Sequence, residues 1–157
     1  MTEPILLPDG RAVRVLRSVT FTLTGTPLIG TNDLKRKHPR EYAAHRRDLA
    51  QQVQVALAQQ GVRTGTAAWV PWEHVTVAVA LRHPGSFDAD NKHGCLKALF
   101  DVLQRPHVTR NPDGLGLIHD DSDGEYGRGG CIQSSLVRQI TGSWAVTVEV
   151  RQVQVHA

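Results

Sequence analysis

The chain has 157 residues, 40% hydrophobic and 21% charged, which allows one packed domain and excludes a disordered polymer. No apolar run approaches the roughly 18 residues that a membrane span needs, and Met1–Pro8 has neither the basic start nor the apolar centre of a signal peptide. The formal net charge of +3 leans towards a polyanionic partner. Cys95 and Cys131 form no CxxC pattern and read as reduced thiols, so the expected location is cytoplasmic.

In chain order, residues 1–12 read as a flexible leader with a turn at Pro8-Asp9-Gly10, and residues 13–157 as the single folded domain. Val13 to Leu23 alternates, with Val13, Val15, Val19, Phe21 and Leu23 on one face and Arg17 interrupting it, which predicts a half-buried strand. Gly25 to Asp33 is a loop. The spacing of Tyr42, Leu49, Ala50, Val53, Ala56 and Leu57 predicts a helix over Arg40–Gln60, opened by Pro39 and closed by Gly61. Glu73 to Arg82 alternates again, with Val75, Val77, Val79 and Leu81 inward. A second helix carries the stripe Leu96, Leu99, Phe100, Leu103; Asp90 or Asn91 suits its cap, and it stops near Pro106. A loop follows, then the apolar pair Leu117-Ile118, then a glycine-rich loop at Gly124–Gly130. Ser135–Ile140 and Ser143–Val155 read as two closing strands with a turn at Thr141-Gly142. The order β–α–β–α–β–β predicts an α+β fold: one mixed or antiparallel sheet of about four strands packed with two main helices.

Charge is unevenly distributed. Lys35, Arg36, Lys37, Arg40, Arg46 and Arg47 form a basic segment with Glu41 as its one acid, and Asp113 to Glu125 holds five acids and no lysine or arginine. A metal-dependent nuclease needs both kinds of patch, bases for the phosphate backbone and acids for the metal. Two solvated surface segments would look the same. The arginines near the start of the first helix oppose its dipole, so they suit contact with an anion better than helix stability.

The chemistry concentrates at Asp88-Ala89-Asp90-Asn91. In extended chain, Asp88 and Asp90 point to the same side, and two such carboxylates persist together when a cation binds between them or one is protonated. Carboxylates with open positions suit Mg²⁺. Taken alone, the pair also suits a turn and a helix cap. Lys97 and Asp101 lie four apart on one helix face, where Asp101 suits a partner for the lysine or a cap in the next turn. Asp120-Asp121 adds two more carboxylates, while Asp123 and Glu125 read as solvated loop charges. An EF-hand is excluded because Lys92 and His93 stand where a ligand and a glycine are wanted. The eight histidines lack zinc-ligand spacing, and only His119 adjoins the acidic pair. Trp69 and Trp72 suit core packing or a dimer contact better than base stacking.

Together, Asp88-Ala89-Asp90-Asn91, Lys97-Ala98-Leu99-Phe100-Asp101 and Leu117-Ile118-His119-Asp120-Asp121 resemble, in that order, the signature of the RusA family of Holliday-junction resolvases. The resemblance covers most of residues 13–155, its specific part being residues 88–121. It implies a homodimeric, Mg²⁺-dependent endonuclease, with Mn²⁺ as a substitute, that nicks four-way DNA junctions symmetrically in recombination and repair. By position it implies Asp88, Asp90 and Asp121 as metal-binding carboxylates and Lys97 as the catalytic lysine, with Asp101 and Asp120 supporting. The basic segment Lys35, Arg36, Lys37, Arg40, Arg46, Arg47 is expected to hold DNA. A phage or prophage, where branched replication DNA must be removed, is a fitting source.

The chain departs from the family pattern in three places. Lys92-His93-Gly94 resembles an insertion and makes Lys92 a rival to Lys97; Ser122-Asp123-Gly124 and the glycine-rich loop replace the segment that usually leads from the acidic pair into a strand; and the loop before Leu117 is longer than expected. Two other functions fit the same residues: a non-catalytic protein binding branched DNA on this fold, and a metal-dependent nuclease specific for flaps or forks.

Overall fold

A computed structural model describes residues 4–7, 10–25, 38–85, 96–119 and 131–155. Its elements are β1 (Ile5–Leu6), β2 (Ala12–Thr24), α1 (Pro39–Gln59), β3 (Val75–His83), α2 (Lys97–Leu103), β4 (Cys131–Ile140) and β5 (Ala145–Val155). The described residues form an α+β fold, with two helices and a five-stranded mixed sheet in the order β1-β2-β5-β3-β4. β3 and β4 are parallel; every other neighbouring pair is antiparallel.

Burial of one sheet face organises the core. Val75, Val77, Val79 and Leu81 of β3 and Val146, Val148 and Val150 of β5 lie inward with Val19, Phe21 and Leu23 of β2. Leu49, Val53 and Leu57 of α1 and Leu99, Val102 and Leu103 of α2 close over them. Truncating one of these fully buried leucines to alanine removes contacts worth about 2–5 kcal/mol.

The alternation in β2 is broken by a bulge. Val15 pairs with Val153 and Arg17 with Gln152, so Leu16 is the extra residue and stands exposed. One extra residue reverses which face the following side chains take. Val13 and Val15 therefore share a small second cluster with Leu7, Ile5 and Val153, while Arg17 falls on the face that carries Val19, Phe21 and Leu23. The single apolar face expected from Val13 to Leu23 is thus two half-faces. β1, inside the stretch expected to be a leader, pairs with Val13 and Ala12 through a tight turn in which Gly10 has φ +87°. Two residues are too few to show a period in the sequence.

α1 ends as its sequence suggests. Gly61 takes φ +77°, its amide donates to Ala58 O, and Val62 N donates to Leu57 O, the paired bonds of a glycine-closed helix end. At the other end Pro39 opens the helix and His38 Nδ1 accepts from Arg40 N at 3.1 Å. Among the described residues α2 spans Lys97–Leu103, which covers its apolar stripe from the cap residue onward. Leu96 holds its cap position without a side-chain bond; Asp90 and Asn91, the expected caps, lie outside the described residues.

β4 and β5 follow one another but do not pair, because β3 lies between them. Their connection crosses the end of β3, where Thr141 N donates to His83 O at 2.9 Å. His83 is buried beneath Trp144, with ring centroids 5.7 Å apart.

The long loop after α2 is a built structure. Leu115 N, Gly116 N and Ile118 N donate to Val102 O, Gln104 O and Leu103 O, which satisfies carbonyls that the helix end leaves without intrahelical partners. The approach is close: a Cβ on Gly114 would lie 2.7 Å from Gln104 O, so only glycine fits without a backbone shift. Residues 117–119 then run beside Trp72, with Trp72 N donating to Leu117 O and His119 N to Trp72 O, both at 2.9 Å.

Candidate functional site

The helices meet through a polar cluster. Lys97 is the first residue of α2, and its side chain is 61% exposed; its Nζ lies 3.3 Å from Asp101 Oδ2, one helical turn on. The same oxygen accepts a hydrogen bond from Tyr42 OH of α1 at 2.6 Å. Asn111 Nδ2 donates to Asp101 O at 2.6 Å, tying the post-helix loop to the backbone beneath this pair. The partnership expected between Lys97 and Asp101 is present, and Tyr42 is an addition to it.

Arg46 follows Tyr42 by one turn on the same stripe that continues to Leu49, Ala50 and Val53. It is 9% exposed. Its Nε lies 3.3 Å from Asp113 Oδ2, its Nη1 reaches Arg110 O at 3.5 Å, and its guanidinium lies 5.4 Å from the centre of the Tyr42 ring. The sequence placed Arg46 with the solvent-facing bases. The structure instead turns it inward onto an acid of the long loop, so the anion it meets is intramolecular. Arg40 and Arg47 remain exposed on α1.

Tyr42 carries the clearest electrostatic signature. Burial, and then the hydrogen bond and negative charge of Asp101, push the phenol well above its ordinary value of about 10; Arg46 opposes this weakly. The tyrosine therefore stays protonated and donates to Asp101 through the neutral pH range.

Trp72 is buried in the core. Trp69 packs beside it at 6.0 Å, donating from Nε1 to Gly116 O at 2.8 Å. Arg17 lies over both rings, 5.0 Å from Trp72 and 5.8 Å from Trp69, and donates to Gln152 Oε1 at 2.6 Å. Both tryptophans serve packing here, and the arginine that breaks the apolar pattern of β2 has aromatic faces to cover.

Asp88, Asp90, Asn91, Lys92, Asp120, Asp121, Asp123, Glu125, Lys35, Arg36 and Lys37 lie outside the described residues. Described chain flanks them: Gly85 and Leu96 border the first acidic segment, and His119 precedes Asp120 directly. His119 O accepts from Arg105 Nε at 3.0 Å. Among the described residues no group of three or more His, Cys, Asp or Glu side chains could hold a metal ion. The expected donor set, Asp88, Asp90 and Asp121, consists of hard carboxylate oxygens and matches Mg²⁺ in its chemistry. Among the described residues no helix is long and apolar enough to cross a membrane.

Sequence reasoning missed Tyr42, Asn111 and the inward turn of Arg46. Tyr42 and Arg46 share the helical stripe with Leu49 and Val53, which signals burial for both. Nothing in the sequence pointed to Asp101, 59 positions from Tyr42, or Asp113, 67 positions from Arg46, as their partners. No family model matches the chain, and no curated protein matches it.

Proposed function

We propose that the chain is a metal-dependent endodeoxyribonuclease that acts on four-way DNA junctions. The observation that carries this is an ordered set of acids and a lysine, Asp88-x-Asp90-Asn91, Lys97-x₃-Asp101 and Asp120-Asp121, in which Lys97 is exposed at a helix start and paired with Asp101. The α+β architecture is compatible with it.

Phosphodiester hydrolysis needs an attacking water, a polarised phosphoryl oxygen and a stabilised leaving oxygen. Asp88, Asp90 and Asp121 would hold Mg²⁺, which when bound supplies water activation and charge stabilisation. Lys97, with its ammonium towards solvent, would neutralise charge developing on the phosphoryl group. Arg40 and Arg47, exposed on α1, would hold the phosphate backbone. A two-fold dimer would present two such sites to a junction of near two-fold symmetry, making paired nicks geometrically natural.

Asp90→Asn tests the assignment. It removes a metal-binding charge and adds no repulsion to DNA. Junction cleavage should be lost, while junction binding, measured by gel shift in the absence of metal, stays equal or tightens. Cleavage near the wild-type rate would defeat the site as assigned.

A further inference from the structure

We propose that Tyr42 is a positioning residue for Lys97 and acts through Asp101, an inference that rests on the nuclease function proposed above. A lysine carries its charge on a flexible four-carbon stem. An exposed i, i+4 pair with aspartate restrains it only weakly. Lys97 is such a residue, and its partner alone would not fix the ammonium.

The restraint on Asp101 comes from the neighbouring helix. One oxygen, Oδ2, accepts from both Tyr42 OH at 2.6 Å and Lys97 Nζ at 3.3 Å. The tyrosine bond has the short length of a hydroxyl donating to a carboxylate, the stronger class of hydrogen bond. It selects one rotamer of Asp101 and so fixes where the acceptor for Lys97 stands. The Tyr42 ring also lies 5.9 Å from Lys97 Nζ, within the range of a cation–π attraction. Tyr42 is itself held: Arg46 lies against its ring and is anchored to Asp113. The chain of contacts therefore runs from the loop through Arg46 and Tyr42 to Asp101, and ends on the solvent-facing ammonium.

The test uses the full chain with Tyr42→Phe, which keeps the ring and removes only the hydroxyl. Two readouts separate the positioning role from the function it serves. In the first, amines are acetylated with a limiting reagent and Lys97 is followed by mass spectrometry, with Lys35, Lys37 and Lys92 as internal references. Lys97 should react several-fold faster in Tyr42→Phe than in wild type, and Tyr42→Phe should add nothing further in an Asp101→Ala background. In the second, kcat for junction cleavage should fall roughly ten-fold or more with junction affinity unchanged, the mark of a misplaced group.

Unchanged Lys97 reactivity in Tyr42→Phe, or full additivity with Asp101→Ala, overturns the proposal. So does altered reactivity with an unchanged kcat. If the wild-type chain cuts no junction, the nuclease function falls, and the acetylation readout alone decides whether Tyr42 holds Lys97.

Discussion

Tyr42 and Arg46 stand one turn apart on α1 and place a hydroxyl and a guanidinium where the helical stripe would otherwise continue with aliphatic side chains. Each finds an acid from elsewhere in the chain, Asp101 and Asp113. For Tyr42 the pH consequence has a definite sign. Its phenol is raised above the value of about 10 that it has when unfolded. Between the two values the unfolded chain gives up a proton that the folded chain keeps, so the unfolded state binds fewer protons and folding stability declines as pH rises. The contribution is complete below about pH 10 and is lost progressively above it. Denaturant midpoints from pH 8 to pH 11 should fall more steeply for wild type than for Tyr42→Phe; parallel curves would show that Tyr42 does not keep its proton in the fold.

At the scale of the element, α1 serves two purposes, and its arginines divide accordingly. Arg46 faces the core side and Asp113, whereas Arg40 and Arg47 face solvent. Arg46→Ala should destabilise the fold by about 1–3 kcal/mol, because Asp113 keeps a poorly hydrated carboxylate without its charged partner. Arg40→Ala with Arg47→Ala should leave stability nearly unchanged. On the proposed function that pair should lower the slope of log K against log salt for junction binding by about one to two, since each phosphate contact contributes close to one. A salt slope untouched by the pair would place the DNA elsewhere; a melting temperature untouched by Arg46→Ala would contradict the buried ion pair.

The elements themselves were legible to unequal degrees. Both helices and β3 and β5 follow from the spacing of apolar residues, and Gly61 marks the end of α1 through the φ that it adopts. The bulge at Leu16 was hidden, because Val13, Val15, Val19, Phe21 and Leu23 keep a period of two across it and only pairing with β5 reveals the extra residue. β1 was hidden by its length. The loop from Gln104 to Gly116 reads as irregular in sequence, since its backbone bonds to the end of α2 carry no side-chain signature and its side-chain ties, from Asn111 to Asp101 O and from Asp113 to Arg46, have partners that the sequence does not mark.

Across the described residues, a mixed sheet with α1 and α2 on one face brings the start of α2 against α1 and joins Lys97, Asp101, Tyr42 and Arg46 into one cluster. The α+β class was readable from the order of elements. The place of β3 between β4 and β5 was not, because adjacency in sequence suggests a hairpin and only long-range pairing selects the crossover. Within the site, Lys97 and Asp101 were legible as an i, i+4 pair, whereas Tyr42 was not, because its bond to Asp101 spans 59 positions.

The function proposed for this chain is the cutting of branched DNA with a divalent metal. The most direct measurement is cleavage of a labelled four-way junction beside a linear duplex of equal length, with Mg²⁺ and with EDTA. Selective, paired nicking of the junction that requires Mg²⁺ is the expected result. Binding of the junction without cutting, or equal cutting of the linear duplex, would contradict it.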